Sequence, residues 1–551
     1  MATTEERIAH HETPHEERSG VVDWVTTIDH KKIGILYITT ALFFFLLSGL
    51  LALTMRAELA FPGLQFMSYQ SYNEFFTMHG TGMIFFFATP LVIGLANYIS
   101  PLQIGAPDVA YPRLNAMTYW MSLSGVLTAF SGFLTASGAA AFGWTMYAPL
   151  SNATYSPGNG ADLWIAGVLL SGTATILGSI NIMATIFGMR APGLTMFRMS
   201  LFNWNILITM ALIMFSFPAL SAGLIMTFID RNFGGHFFNP AVGGDAVLYQ
   251  HIFWFFGHPE VYIVILPFFG ILSEVIPVFS RKPIFGYRGF VLATLLIGIY
   301  SFSVWAHHMF ATGVVSGPFF AATTMLIAVP TGIKYFNWIA TMWRGKISFE
   351  TPMLFCMGFL FTFLIGGITG VYIASPAIDF AVTDTYYIVA HFHLVMAFGT
   401  VFGAYAGIYF WYPKVTGRML DERLGKVHFW LMLAGSLITF MPQFQLGLDG
   451  MVRRVADYPE QYATGNLVSS IGAMLIGISI AVFVANAIKS LKSGKIAGDD
   501  PWNGYSLEWA TTSPPPHHNF YRLPPIRSER PVFDERERLK RAGTPVAASD
   551  G

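Results

Sequence analysis

Six histidines carry the strongest chemical signal in this sequence: His79, His258, His307, His308, His391 and His393. Each falls well inside a long apolar run, whereas the rest of the 15 lie in tails or near the ends of runs. One buried histidine is usually a satisfied core residue. Six on four segments point to function, because polar groups at membrane depth are costly and either pair with one another or do work. Helical geometry sorts them. Successive residues turn by about 100°, so His391 and His393 stand about 200° apart and serve different sites. His258 and Tyr262 are four residues apart and share a face. The adjacent His307 and His308 are splayed by about 100° in a regular helix. They converge on one ion only with a local distortion or through different ring nitrogens. Together with His258 they would form a three-histidine site with open positions, which suits copper. Of the other three, two from different helices can sandwich a haem iron, and a lone one can hold a second haem with its far face open.

Around these rings sit groups suited to moving protons. The stretch HIFWFFGHPEVY, residues 251–262, places His258, Pro259, Glu260 and Tyr262 within five positions of an apolar run. Glu260 is two residues from His258 and so points away from the copper face, where a buried carboxyl suits a proton carrier better than a fixed anion. Tyr262 can give an electron together with a proton. Asn97, Asp108 and Asn115 surround one polar loop, and amides can orient a water chain without becoming charged. Lys334 is the one lysine or arginine placed within a span, at roughly 2.5–3.5 kcal/mol on insertion scales. Thr331 lies three residues before it on the same face, and Ser273 ends the helix that carries Tyr262.

These groups need rigid transmembrane elements to position them, and the composition supplies them. The 551 residues are 54% hydrophobic and 11% charged, against about 25% charged in soluble domains. A span needs about 20 apolar residues. Twelve runs qualify, near 33–55, 74–99, 113–136, 162–189, 200–229, 247–279, 288–310, 316–343, 351–374, 384–412, 425–445 and 466–489. The expected fold is therefore an all-α, polytopic twelve-helix bundle over residues 29–490, with a disordered tail at 1–28 and a Pro-rich charged tail at 491–551. With the N-terminus inside, Arg113, Arg190, Arg198, Arg281, Lys282, Arg288, Arg344, Lys346, Lys414, Arg418, Arg423 and Lys426 fall in inward loops. Only Arg56, Arg231, Arg453 and Arg454 fall in outward ones. That bias places both termini in the cytoplasm. Lys+Arg and Asp+Glu balance at 31 each, and no basic stripe with interleaved aromatics suggests nucleic acid. The single cysteine, Cys356, excludes a disulfide framework, a cysteine-ligated cluster and C-x-x-C-H haem attachment.

The segments FTMHG, WFFGHPEVY, WAHHMF, PTGIK and DTYYIVAHFH, in this order, resemble subunit I of the haem–copper cytochrome c oxidases. The resemblance runs from about Thr26 to beyond Arg454. It implies a respiratory enzyme of the bacterial plasma membrane that reduces dioxygen to water with electrons from cytochrome c and pumps protons. It implies His79 and His393 as axial ligands of low-spin haem a, His391 as the proximal ligand of a high-spin haem, and His258, His307 and His308 as the ligands of the copper CuB. By the same resemblance Tyr262 is bonded covalently to His258. Arg453 and Arg454 meet haem propionates, and Arg56 faces the formyl group of haem a. Asn97, Asp108, Asn115 and Glu260 form one proton path; Ser273, Thr331 and Lys334 form a second, leading to Tyr262. Implied partners are a CuA-bearing subunit II, subunit III, other oxidase subunits, and cytochrome c or a cytochrome bc complex.

The sequence also departs from the pattern. Thr383 stands where many relatives have a histidine ligand of a magnesium site, while Asp384 is kept, so the expectation for magnesium near Asp384 is an altered or absent site. Val452 and Phe444 replace a proline and a histidine near the propionates. The chain between His308 and Lys334 is two residues shorter than in mitochondrial-type members. The loop and Thr383 resemble the actinobacterial-type branch. Quinol-oxidising members often read IGARD, where this chain reads IGAPD, and place polar contacts at the positions of Ser71 and Glu74. A quinol oxidase of the same superfamily and a non-redox proton-coupled transporter are the competing readings.

Overall fold

Apolar runs of this length can satisfy their backbone groups in lipid only as helices or as a closed barrel, and few of these runs show strand alternation. In the computed structural model, which describes residues 20–542, the chain is all-helical, with two isolated bridges and no strand among the described residues. We number the long helices α1 (His30–Glu58), α2 (Tyr69–Ile104), α3 (Pro112–Phe130), α4 (Asn159–Gly188), α5 (Leu201–Asn232) and α6 (Ala246–Ser280). The second half comprises α7 (Tyr287–Thr312), α8 (Gly317–Met342), α9 (Thr351–Ile373), α10 (Tyr386–Thr416), α11 (Glu422–Leu448) and α12 (Glu460–Ser493).

Eleven of these are long and apolar enough to cross a membrane; the twelfth expected span, the run at 113–136, is α3. It has 19 residues, and Arg113, Asn115, Thr118 and Ser122 dilute its apolar character. Close packing compensates. A Cβ added to Gly125 would lie 2.7 Å from the Gly167 carbonyl oxygen of α4, and one on Gly167 would lie 2.5 Å from that of Gly125. Small residues let two helix backbones approach to this degree.

Most sequential helices pack side by side, α3 packs on α1 and α4 rather than on α2, α10 also packs on α6, and α12 returns to α1. The apolar windows of α2 and α6 are 94% and 83% buried, against 22% for α8. α2 and α6 are therefore the axis of the bundle, and α8 lies at its rim. Both helices that carry paired-site histidines change winding next to them. α2 runs as a π-helix over Gly82–Ala88, just past His79, and α10 does so over His393–Ala397. Such wide turns are rare and cluster at functional sites.

The N-terminal tail expected over 1–28 lies outside the described residues up to residue 19, His10, His11 and His15 included; residues Val21–Val25 form a short helix. The Pro-rich segment after α12 packs back on the bundle face from which α1 starts. Glu508 is fully buried, and its Oε1 accepts hydrogen bonds from Gln103, Trp411 and Ser506 at 3.0–3.1 Å. Gly105, at φ +71°, ends α2 in a left-handed turn, and a side chain there would press on Ala191 and Leu523.

Candidate active site

All six interior histidines line one cavity of about 1630 Å³ between the helices. Ordinary small-ligand pockets span roughly 300–1,000 Å³, so this one suits more than a single large cofactor. Arg56, Tyr262, Thr331, Thr383, Asp384, Arg453 and Arg454 line it too. Glu260, Lys334, Asn97, Asp108, Asn115 and Ser273 do not; they lie in the surrounding protein.

His258, His307 and His308 each bring a ligating atom within 4.8 Å of the others. Of the two ways for adjacent histidines to converge, a local distortion is present: His307 and His308 sit in a 3₁₀ turn, Trp305–Thr312, with ring centroids 4.2 Å apart. His258 Nδ1 lies 3.3 Å from His308 Nε2. His307 Nδ1 lies 2.9 Å from Thr324 Oγ1, which leaves its Nε2 for a metal. The ring of His308 stacks on Trp254 at 3.7 Å, with 8° between planes. Tyr262 meets His258 at 4.8 Å between ring centroids, as their four-residue spacing predicts.

The other three rings are anchored alike. Nδ1 lies 2.9 Å from the Ser48 carbonyl oxygen for His79, 2.9 Å from Gly366 O for His391, and 2.8 Å from Val389 O for His393. A carbonyl only accepts, so Nδ1 carries the proton and Nε2 offers its lone pair. The rings of His79 and His393 are 6.5 Å apart and within 9° of parallel. A metal–imidazole bond is about 2 Å, so one iron between the two rings fits that separation. His391 takes its anchor from α9 and so belongs to a different position, as the 200° offset requires. Arg56 donates from Nη2 to Asn466 and Ser470, while its buried Nε and Nη1 have no protein partner. Donors of that kind facing the cavity fit a polar group on a bound macrocycle. The donor set thus fits two haems and one copper.

On the side of the cavity away from α1's start, Arg453 donates to Asp384 Oδ1 from Nε (2.9 Å) and Nη2 (2.6 Å). Burial raises the Asp384 carboxyl pKa, but the charge and hydrogen bonds of Arg453, with help from Arg454, hold it below its usual value. Burial and the neighbouring Arg453 lower the Arg454 pKa to about 10. Asp384 and Arg454 adopt φ +55° and +65°, strained conformations of the kind that gather at functional loops.

Residues 32–475 match the family described as Cytochrome C and Quinol oxidase polypeptide I. The chain belongs to that family. It is 61% identical, over 93% of its length and 87% of the relative's, to the Nocardia farcinica protein named "Probable cytochrome c oxidase subunit 1-beta". It is 56% identical to "Cytochrome c oxidase subunit 1" of Corynebacterium diphtheriae, over 94% and 93% of the two chains. A heme-copper terminal oxidase dimer solved by cryo-EM shares the fold, with TM-score 0.71 and 17% identity over 93% of this chain and 98% of that one. These likenesses place this oxidase chain in the actinobacterial-like branch of subunit I.

In this oxidase subunit the polar residues outside the cavity divide into two groups. Glu260 accepts a hydrogen bond from Thr89 Oγ1 at 3.1 Å on α2, and its Oε2 has no protein partner. Asn97 donates to Ile93 O, and its Oδ1 is unpartnered, as is Asn115 Nδ2. Asp108 accepts from Val109 N, and burial pushes its pKa up to about 6. On the other side, Lys334 is fully buried and donates to Thr294 Oγ1 (2.5 Å) and Asn205 Oδ1 (3.2 Å). No direct bond joins it to Thr331 or Ser273. Ser273 donates to Phe269 O and accepts from Trp338, and Thr331 donates to Ile327 O. Sequence reasoning missed Thr89, Asn205, Thr294 and Trp254. Each is a common residue type in an apolar helix, marked only by what a distant helix brings beside it. It also missed Asp379, a cavity-lining carboxyl whose pKa burial, with Asp384 adding to it, raises to about 7.

Proposed function

We propose that this chain, the catalytic subunit of a terminal oxidase, reduces dioxygen to water at a haem–copper centre with electrons from cytochrome c, and couples this to proton pumping across a bacterial plasma membrane. The reading rests above all on the two sets of rings in one cavity: a three-histidine cluster, and a parallel pair 6.5 Å apart with lone pairs facing inward. Its roles are His79 and His393 on a low-spin haem, His391 on a high-spin haem, and His258, His307 and His308 on copper. The haems are of the a type, which Arg56 suits through its two unpartnered donors. When bound, these groups supply the electrons that dioxygen takes up.

The protein's own part is positioning and proton supply. Reduction of one dioxygen to two waters takes four electrons and four protons. Backbone carbonyls fix the three haem-ligand rings in one tautomer, as outer partners do in metal sites generally. Tyr262, beside His258, gives an electron together with a proton. Lys334, Thr331 and Ser273 return a proton toward Tyr262. Glu260 receives protons taken up at Asp108 and passed along Asn97 and Asn115. The apolar walls keep bulk water out, which strengthens electrostatic interactions inside.

Several observations support the choice of donor and partners. Ser71 bonds to Ser68, and Glu74 accepts from Gln70, so both candidate quinol-contact positions are engaged locally. Cys356 is fully buried, so a CuA centre comes from a separate subunit II; subunit III and a cytochrome bc complex are further partners. The face bearing the start of α1 is the cytoplasmic one, by the charge bias of the loops. A magnesium ion at Asp384 would compete with Arg453 for the carboxylate. The test is metal and haem analysis of the purified complex with reduced-minus-oxidised spectra. Two haems and one copper in this subunit are expected. One haem in this subunit, or no copper beyond that of CuA, would overturn the assignment.

A further inference from the structure

The C-terminal segment makes contacts that the catalytic reading does not use. Its Asn519 is fully buried at the start of α1, in a left-handed conformation, φ +70°. The segment is pinned on either side: Thr511 Oγ1 donates to Asn519 O at 2.6 Å, Asn519 N donates to Pro516 O at 3.0 Å, and Lys31 Nζ donates to His517 O at 2.8 Å.

The Asn519 amide is completely used. Nδ2 donates to the Ala106 carbonyl oxygen at 2.7 Å and to His30 Nε2 at 2.9 Å, and Oδ1 accepts from Lys31 Nζ at 3.1 Å. His30 Nδ1 lies 2.7 Å from the Asn97 carbonyl oxygen, so it carries the ring proton, and Nε2 is the acceptor that Asn519 requires. One side chain therefore ties together the first turn of α1, the backbone of Asn97 through His30, and the loop two residues before Asp108.

We propose that Asn519 is a positioning residue of the proton-uptake mouth, through which the C-terminal segment clamps the Asp108 loop against His30 and Asn97. The inference rests on the reading of Asp108 as the uptake group. The mouth has charged or titratable groups on each element packed there: Asp29 capping α1, His30, Lys31 and Lys32 in its first turn, Asp108 on the loop, and His517 and His518 on the segment. Burial of the Asp108 carboxyl is partly the clamp's doing. Loosening the clamp hydrates the loop and moves the Asp108 titration down toward the ordinary carboxylate range.

The test uses the complete purified oxidase complex. Asn519→Gly keeps the backbone conformation and removes the amide. We expect kcat to fall about three- to tenfold, the order expected of a misplaced transfer group. KM for cytochrome c and the haem and copper content should hold, and the alkaline limb of the kcat profile should move to lower pH. Asp108→Asn serves as the reference. If it slows turnover while Asn519→Gly keeps the wild-type rate and pH profile, the clamp is overturned and the uptake reading survives. If Asp108→Asn has no effect, the uptake reading fails and the clamp with it. Should the glycine variant lose haem, Asn519→Asp decides: it keeps the acceptor for Lys31 but lacks the donor to Ala106, and an unshifted pH profile in it overturns the proposal.

Discussion

The two proton routes proposed above are built on opposite plans. Around Lys334 every group has a protein partner: the ammonium bonds to Thr294 and Asn205, Asn205 Nδ2 to Leu201 O, and Ser273 to Phe269 O and Trp338. Between Asp108 and Glu260 the polar atoms are left over: Asn97 Oδ1, Ser100 Oγ, Asn115 Nδ2 and Glu260 Oε2 are buried and unpaired. Buried polar atoms are rarely without partners unless water or function takes them up. The Asp108 side thus leaves polar atoms unpaired by protein, and the Lys334 side is a closed network around one cation. A lining of that kind tolerates the loss of one group better than a network does, because its polar atoms have no protein partner to lose. Loss of one partner from a closed network leaves the other buried and unsatisfied.

Breaking what both routes share has the largest expected effect. His307→Ala removes one arm of the three-histidine cluster. Oxygen consumption should fall by more than about a hundredfold, with copper lost and haem content kept, as read by metal analysis and spectra. Wild-type oxygen uptake in this variant would remove the destination of both routes.

Next come the groups at the inner ends. Lys334→Met and Glu260→Gln should each lower turnover by about a hundredfold, the lower range for loss of a proton-transfer group. They should differ in stability. Methionine removes the cost of a buried charge but leaves Asn205 Oδ1 without its donor, so the melting temperature should fall modestly. Glutamine keeps an acceptor for Thr89, so Glu260→Gln should be neutral. A large drop in melting temperature for Lys334→Met would show that the Lys334 network is structural rather than conductive.

Asp108→Asn should be milder, about tenfold at pH 6, and its signature is the pH profile. Burial raises the Asp108 carboxyl to about 6, so below pH 6 it mostly holds its proton and above pH 6 it mostly does not. Proton supply through it therefore weakens as pH climbs. The ratio of wild-type to variant turnover should be greatest near pH 5 and shrink toward pH 8. A ratio that is flat with pH would remove Asp108 from the uptake path.

Much of this contrast was legible in the sequence, and its limits have a physical origin. Helical angles alone separated His391 from His393, joined His258 to Tyr262 and turned Glu260 toward another helix, because these relations live within one helix. The 3₁₀ turn under His307 and His308 was one of two ways their adjacency allowed them to converge, and the spacing did not choose between them. What stayed hidden are contacts between helices: Thr89 beside Glu260, Thr294 and Asn205 beside Lys334, Trp254 under His308. No spacing in one chain segment encodes them. Thr331 and Ser273 show the reverse: their placement near Lys334 in sequence or on a neighbouring helix did not become a direct hydrogen bond. The Pro-rich C-terminal segment read as a tail because its partners, Gln103, Trp411 and His30, lie some 100 to 490 positions away.

Thr294→Val tests the contrast most finely. Valine matches threonine in shape and removes only the hydroxyl that Lys334 contacts most closely. Asn205 remains as the single polar partner, 3.2 Å away. If the Lys334 side is a closed network, the loss leaves a buried ammonium short of an acceptor. Stability should fall by about 1–3 kcal/mol, the cost of a buried unsatisfied group, and turnover by only about threefold, because Lys334 itself stays to carry the proton. If this side instead behaves like the Asp108 side, water replaces the hydroxyl and the melting temperature does not move. The paired variant Asn115→Ala on the other route supplies the standard, since its amide nitrogen has no protein partner to lose. A melting-temperature drop for Thr294→Val alone separates the two designs; equal drops would erase the distinction.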